Sequence, residues 1–277
     1  MNKTISETQI SNGKNIFYLN KEEIEFLDYQ IKSYIKHGIE IKKGDLVFDV
    51  GANIGMFSLY CCELCENEVD IYAFEPIPKI FQVLQKNVER FNLDTINIFN
   101  FGISNRNKDA VVFDYFRNAT GFSTMYPEKP EKFRKSVRLI MLQNINALAS
   151  FVSKIDLISK LPNFLQTWLI KFQLFTKLRA KKVTCQVKTI SQVIHEQNIE
   201  HIDLLKIDVE KSELDVLLGI DEKDWSKIEQ IVIEVHDLDN RVSEIKDLLV
   251  MRNFKKIVDE QESFLVGSEY YNIYAMR

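Results

Sequence analysis

Apolar positions along the chain alternate between two spacings. Short alternating or continuous apolar runs bounded by turn residues predict strands at Asp45 to Val50, at DIYAFE ending on Glu75, and at Ile96 to Ile103. The same pattern predicts strands at HIDLLKID ending on Asp208 and at KIEQIVIEVHD ending on Asp237. Helical spacing fills the gaps: a stretch after Gly55 to about Glu66, one opened by Pro76-Ile-Pro78 and running to about Phe91, and others near Ile190 to Gln197, from Ser212, and near Val242 to Met251. Upstream, Asn20-Lys-Glu-Glu23 has the form of an N-cap with an acid three residues later, so a helix is expected to about His37, where Gly38 stops it. Lys255 to Val258 and Tyr270 to Ala275 are close enough in sequence to pair antiparallel. Strands alternating with helices predict an α/β fold, doubly wound around a mostly parallel sheet, with its ligand site at the carboxyl ends of the strands.

Composition agrees with a globular chain. Of 277 residues, 45% are hydrophobic and 27% charged, with nine Gly and five Pro, which excludes fibrous and disordered classes. No apolar run has the length of a membrane span and the start shows no leader pattern, so a cytoplasmic protein is expected. Cys61, Cys62 and Cys65 crowd together while Cys185 lies far off, and no second ligand pair stands at a zinc spacing, so buried free thiols are expected.

The stretch DVGANIG, Asp49 to Gly55, follows the first strand and has the outline of a phosphate loop. It lacks that loop's chemistry. Asp49 precedes the first Gly and Asn53 stands where a second Gly lets a pyrophosphate approach the backbone. A carboxylate at that mouth repels pyrophosphate and suits an ammonium group. Glu75, closing the next strand, is where an acid takes ribose hydroxyls in doubly wound folds. An adenosine ligand with a cationic, phosphate-free tail satisfies both, which is S-adenosylmethionine. An NAD-dependent oxidoreductase would share the sheet but not this loop.

DVGANIG, AFEP at Ala73 to Pro76 and LLKIDVE at Leu204 to Glu210, in that order, resemble the FkbM family of class I, S-adenosylmethionine-dependent methyltransferases. Lys211 stands where the family usually has Gly, which leaves contacts at that turn open. YIKHGI at Tyr34 to Ile39 and YNIYAMR at the end resemble the family branch found with polyketide and nonribosomal peptide assembly lines. The resemblance implies a Rossmann-like, seven-stranded sheet with an antiparallel strand pair, and O-methylation of a hydroxyl in a biosynthetic intermediate or a sugar. It places Asp49, Gly51, Asn53 and Gly55 around the methionine part, with Asp208 nearby, Glu75 and Pro76 at the ribose, and Gly102 and Ile103 at the adenine. Tyr34 and His37 are expected near the acceptor on resemblance alone, and Glu210 beside it. The products are a methyl ether and S-adenosylhomocysteine.

Methyl transfer needs a base for the hydroxyl proton at a strand end beside the cofactor. Alternation in IVIEVHD puts Glu234 and His236 on one face, and a His oriented by a carboxylate is one candidate base. Asp208, with Glu210 two residues on, is the other. Asp208, His236 and Asp237 as Mg²⁺ ligands are a further option, although nothing in the spacing demands a metal and none is expected to be required. Lys206 reads as structural, its stem beside the sheet and its ammonium on an acid.

Between Lys129 and Lys188 stand thirteen basic residues against the two acids Glu131 and Asp156, whereas the whole chain carries a formal charge of -4. Phe164, Leu165, Trp168, Phe172 and Phe175 fall on one helical face, and Leu148, Val152 and Ile155 form a shorter stripe beyond Pro162. A basic, amphipathic helical lid over residues 125–183 is expected, its apolar side on the acceptor and its basic side free to dock an acidic acyl or peptidyl carrier protein. Nucleic acid is not an expected partner, since the body is acidic and carries no recognised motif, and membrane contact is not expected either. The organisation read from sequence is one domain over 1–277: an N-terminal helical segment 1–44, a cofactor-binding core 45–120 and 184–277, and the lid. Outside this reading stand a sugar or cell-surface glycan as acceptor and a cofactor-binding scaffold without activity.

Overall fold

The computed structural model describes residues 5–127, 179–263 and 265–277. In chain order the strands are β1 (Ser6–Gln9), β2 (Asn15–Tyr18), β3 (Leu46–Val50), β4 (Asp70–Phe74), β5 (Ile96–Phe99), β6 (Gly102–Ile103), β7 (Lys108–Phe116), β8 (Ala180–Lys188), β9 (Ile202–Ile207), β10 (Ile228–His236), β11 (Lys256–Glu260) and β12 (Tyr270–Met276). The helices are α1 (Ile24–Ser33), α2 (Met56–Leu64), α3 (Pro78–Phe91), α4 (Ile190–Glu196), α5 (Glu213–Leu218) and α6 (Arg241–Met251).

A seven-stranded sheet runs β5-β4-β3-β9-β10-β12-β11. Its strands are parallel except β12, which pairs antiparallel with both β10 and β11. The order reverses between β3 and β9, and there the parallel strands open their carboxyl ends to a ligand. Val47, Phe48, Ile71, Leu204, Leu205, Ile231 and Ile233 are fully or almost fully buried, which is why these strands read as continuous apolar runs. Helix α3 shows the complementary spacing: Ile80, Val83, Leu84, Asn87 and Val88 form its buried stripe, Pro78 opens it, and Asn92 closes it in the left-handed conformation.

Four sequence expectations are corrected. The segment 1–44 is not helical throughout, because β1 and β2 pair as a hairpin before α1. Asn20 does not cap the helix; its side chain donates to the carbonyl of Asn118 at 2.7 Å, and a 3-10 turn precedes α1, which ends at Ser33 rather than His37. The expected strand Ile96 to Ile103 is broken, because the Asn100 amide donates to the carbonyls of Glu75 and Pro76 and turns the chain out of the main sheet. Gly102 and Ile103 pair instead with β8, which together with β7 forms a second sheet in the order β6-β8-β7. Lys181 and Lys182, assigned to the lid, therefore stand on a strand together with Lys188 of the core segment, and Lys182 pairs with Asp114. The lid's amphipathic stripes lie outside the described residues.

All four cysteines are buried free thiols. Burial pushes Cys62 up to about 11 and Cys185 up to about 12, so both stay protonated. Among the described residues no helix is long and apolar enough to cross a membrane.

Candidate active site

A cavity of about 1430 Å³, counting the space at its open mouth, lies at the carboxyl ends of β3, β4, β9 and β10. Gly51, Asn53, Glu75, Pro76, Gly102, Ile103, Asp208, Glu210 and Glu234, all named as candidate site residues from the sequence, line it. Helix α1 covers one side with Phe26, Leu27 and Gln30.

The loop after β3 is shaped by its own packing. Gly51 has a φ of 78°, and a Cβ there would stand 1.9 Å from the Asp208 carbonyl oxygen, so β3 and the β9 exit approach as closely as backbone allows. Asn53, also left-handed at φ 50°, donates its backbone N–H to Glu75 Oε2 at 3.1 Å. Glu75 accepts a second N–H, from Ile77 at 2.8 Å. Burial outweighs these bonds and pushes its carboxyl up to about 8. Gly55 does not line the cavity; it opens α2 at φ 88°, where a Cβ would press on Leu84 at 2.6 Å.

Asp49, expected at the mouth, is beneath it. It is fully buried, is not among the cavity-lining residues, and accepts from Ser58 Oγ at 2.7 Å and from Lys206 Nζ at 3.0 Å. Lys206 lies 3.7 Å from Asp208 as well. Burial favours its neutral amine, but Asp49 and Asp208 outweigh that and raise its pKa. An acid neutralised in this way is a strut between β3 and β9, not an open anion for a ligand's ammonium. Tyr34 is likewise behind the cavity: almost fully buried, it donates to Asp208 Oδ2 at 2.9 Å, and burial followed by Asp208 keeps its phenol protonated. His37 does not line the cavity; it is 2.9 Å from Glu260 and against the Tyr274 ring on the β11–β12 side.

His236 is close to the cavity without lining it. Its Nδ1 is 2.6 Å from Glu213, and its Nε2 is 2.8 Å from Glu210 but lacks hydrogen-bond alignment. Arg241 contacts Glu213 at 3.3 Å from the other side. Burial alone lowers the imidazole pKa, yet Glu210 and Glu213 outweigh it and raise it well above the usual histidine range. The expected base is thus an imidazolium already carrying its proton, held between two acids. Glu234 is different: 8% exposed, it faces the cavity and accepts from Gln30 at 2.7 Å. Burial first, then Asp208, pushes its carboxyl up to about 8.

Asp208, His236 and Asp237 do not converge as metal ligands. Asp237 accepts the backbone N–H of Val242 at the start of α6, and the three are not grouped at ligand distance. Sequence reasoning missed Glu23, which lines the cavity and accepts from the backbone N–H and hydroxyl of Thr120. Thr120 also reaches Asn53, so the start of α1, the turn after β7 and the loop after β3 form one polar network. Glu23 was visible only as a helix-capping acid, since its partner is 97 residues away.

Residues 49–258 match the family model described as the methyltransferase FkbM domain. The chain belongs to the FkbM methyltransferase family. It is 31% identical over 290 residues to the 31-O-demethyl-FK506 methyltransferase FkbM of Streptomyces tacrolimicus, covering 100% of this chain and 99% of that one. It is also 32% identical over 279 residues to the AMB antimetabolite synthetase AmbE of Pseudomonas aeruginosa, covering 98% of this chain and 12% of AmbE. Among solved structures, a methyltransferase FkbM from Methylobacillus flagellatus shares the fold, with a TM-score of 0.52 at 14% identity over 87% of this chain and 46% of that one. The seven-stranded α/β architecture of this FkbM family methyltransferase is that of the class I fold.

Proposed function

We propose that this protein is an S-adenosylmethionine-dependent O-methyltransferase acting on a hydroxyl of a natural-product intermediate. The observation that carries the reading is one cavity shared by two sets of side chains. Gly51, Asn53 and Glu75 stand at β3 and β4, while Asp208, Glu210 and Glu234 stand at β9 and β10. The first set fits the cofactor: a turn at Gly51 and Asn53 that lines the cavity at the strand end, and a Glu75 carboxyl that lines the cavity beside it and would take a ribose diol. When bound, the cofactor supplies a methyl carbon on a positively charged sulfur.

The chain's own residues then do three things. The cavity walls would align the acceptor oxygen with that methyl, in line with the bond from which sulfur would leave with its electron pair. Glu234, its carboxyl pushed up to about 8 by burial and Asp208, takes the hydroxyl proton as the oxygen attacks. Phe26, Leu27, Phe122 and Leu265 keep water from competing for the methyl. His236 holds Glu210 from behind and acts as a positioning residue.

The names of two relatives support oxygen as the acceptor atom and a biosynthetic intermediate as the acceptor: one is an O-demethyl-FK506 methyltransferase, the other an antimetabolite synthetase. The basic residues between Lys129 and Lys188 support delivery on an acidic carrier protein. The test is mass spectrometry of a β-hydroxyacyl chain on an acyl carrier protein after incubation with S-adenosylmethionine, beside the untethered chain and a panel of free sugars. Gain of one CH₂ on the hydroxyl of the tethered chain supports the full reading. Gain on a sugar alone keeps the enzyme class and discards carrier delivery, and NAD binding without S-adenosylhomocysteine binding would discard the class.

A further inference from the structure

Strand order spreads the cavity's carboxyls along one line. Moving from β4 through β3 and β9 to β10 crosses three inter-strand steps, at about 4.8 Å each, so Glu75 and Glu234 belong to strands roughly 14 Å apart. With the cofactor assigned to the β4–β3 end, the β9–β10–β12 end is left to the acceptor. That end holds more acid than a single general base requires.

Glu23, Glu75, Asp208, Glu210 and Glu234 line the cavity, and among the described residues no Lys, Arg or His does. The cations that balance this region stand behind the wall. Lys206 is spent on Asp49 and Asp208, His236 on Glu210 and Glu213, and Arg241 on Glu213. Three of the five acids are committed to the protein, Glu75 to two backbone N–H groups, Glu23 to Thr120, and Asp208 to Tyr34 and Lys206. Among the described residues Glu210 and Glu234 each have a single partner, His236 behind the wall and Gln30 of α1. Both still line the cavity on the acceptor side with side chains about nine-tenths buried, so an ionic partner there meets little screening by water. Around them the lining is apolar and aromatic, with Phe26, Leu27, Phe122, Leu265 and Tyr270.

Such a wall repels phosphates and free carboxylates. It also offers a neutral polyol few of the donors that its hydroxyls would seek. A cation on an apolar body satisfies both halves, through charge-assisted hydrogen bonds to the carboxylates and contact with ring faces. We propose that the acceptor carries an ammonium group near the hydroxyl that receives the methyl, and that Glu210 grips this ammonium while Glu234 takes the hydroxyl proton. Burial raises the Glu210 carboxyl as well as that of Glu234, so each gives up its proton when a cation binds against it. The position of the hydroxyl rests on the O-methyltransferase reading; the ammonium site does not.

The experiment uses two probes of equal apolar length, hexylammonium and 1-hexanol, titrated calorimetrically into the full chain saturated with S-adenosylhomocysteine near neutral pH. Hexylammonium is expected to bind at least about tenfold more tightly than hexanol, as a charge-assisted contact in a buried site should. The preference is expected to disappear in Glu210→Gln. Equal affinities in the unmodified protein overturn the proposal, and so does a preference that survives in both Glu210→Gln and the Glu210→Gln/Glu234→Gln double variant. Retained S-adenosylhomocysteine binding shows that a variant is folded, and if it is lost the unmodified protein's comparison decides alone. The two readings fail separately. A protein that prefers the ammonium yet methylates no hydroxyl loses the O-methyl reading, while one that methylates a free-amine acceptor and its N-acetyl counterpart equally loses the ammonium site.

Discussion

At the level of single residues the decisive contrast is between His236 and Glu234, which alternate onto one face of β10 and look equally suited to take a proton. The structure separates them by environment. His236 is charged by two flanking acids, whereas Glu234 is raised to about 8 by burial and the Asp208 carboxylate. Glu234→Gln is therefore expected to lower kcat by about 10²- to 10⁴-fold while leaving S-adenosylhomocysteine affinity unchanged. The rate of the unmodified enzyme should rise as pH climbs through about 8, because only the ionised carboxylate accepts a proton, and that limb should vanish in the Gln variant. Glu75 makes a matching prediction for binding. A ribose diol donates to an ionised carboxylate, yet the ligand-free carboxyl stays protonated below about 8. Binding below that pH must release a proton, so S-adenosylhomocysteine affinity should rise with pH until about 8 and then level off. Calorimetry in buffers of different ionisation enthalpy checks this, and an affinity that does not change with pH would exclude Glu75 as the ribose ligand.

At the scale of elements, the Lys206–Asp49 contact ties β9 to β3 where the sheet order reverses. Removing one partner leaves an uncompensated buried charge. Lys206→Met is thus expected to cost about 3–5 kcal/mol in denaturant unfolding, and Lys206→Met/Asp49→Asn clearly less than the sum of the two single changes. The same strands show what was legible in the chain. Their apolar runs announced five parallel strands and the final pair, because a sheet buried on both faces leaves no room for polar alternation. DVGANIG was legible as the loop at the carboxyl end of the first core strand, but the reason for its glycines was not: Gly51 answers to the Asp208 carbonyl and Gly55 to Leu84, contacts made across the fold. Asp49 was misplaced for a related reason, since its neutralising Lys206 is 157 residues away. The β1–β2 hairpin escaped notice because its strands bury little beyond Ile16 and show no clean alternation. The β7–β8 pairing joins segments on either side of the long insertion, a register that no local pattern encodes.

On the scale of the whole molecule, the site's acids set a cost that the fold carries until a ligand arrives. Glu75 and Glu234 both titrate near 8 in the folded protein and start from ordinary carboxyl values when unfolded. Between those limits the folded chain binds more protons than the unfolded one, so unfolding is favoured as pH rises. Stability of the ligand-free protein should therefore be highest in mild acid and fall progressively as pH rises through about 8, unlike a protein whose acids are held by salt bridges. A cationic ligand reverses the sign of this effect, because it binds the deprotonated carboxyls and rewards their ionisation. Saturation with S-adenosylmethionine should raise Tm more at the alkaline end of this range than at the acid end. Glu75→Gln/Glu234→Gln, which removes both titrations, should flatten the ligand-free profile and melt later than the unmodified protein in mild alkali. Scanning calorimetry at several pH values measures all three, and a ligand-free Tm that climbs with pH would show that these two carboxyls are not held protonated by burial in the cavity wall.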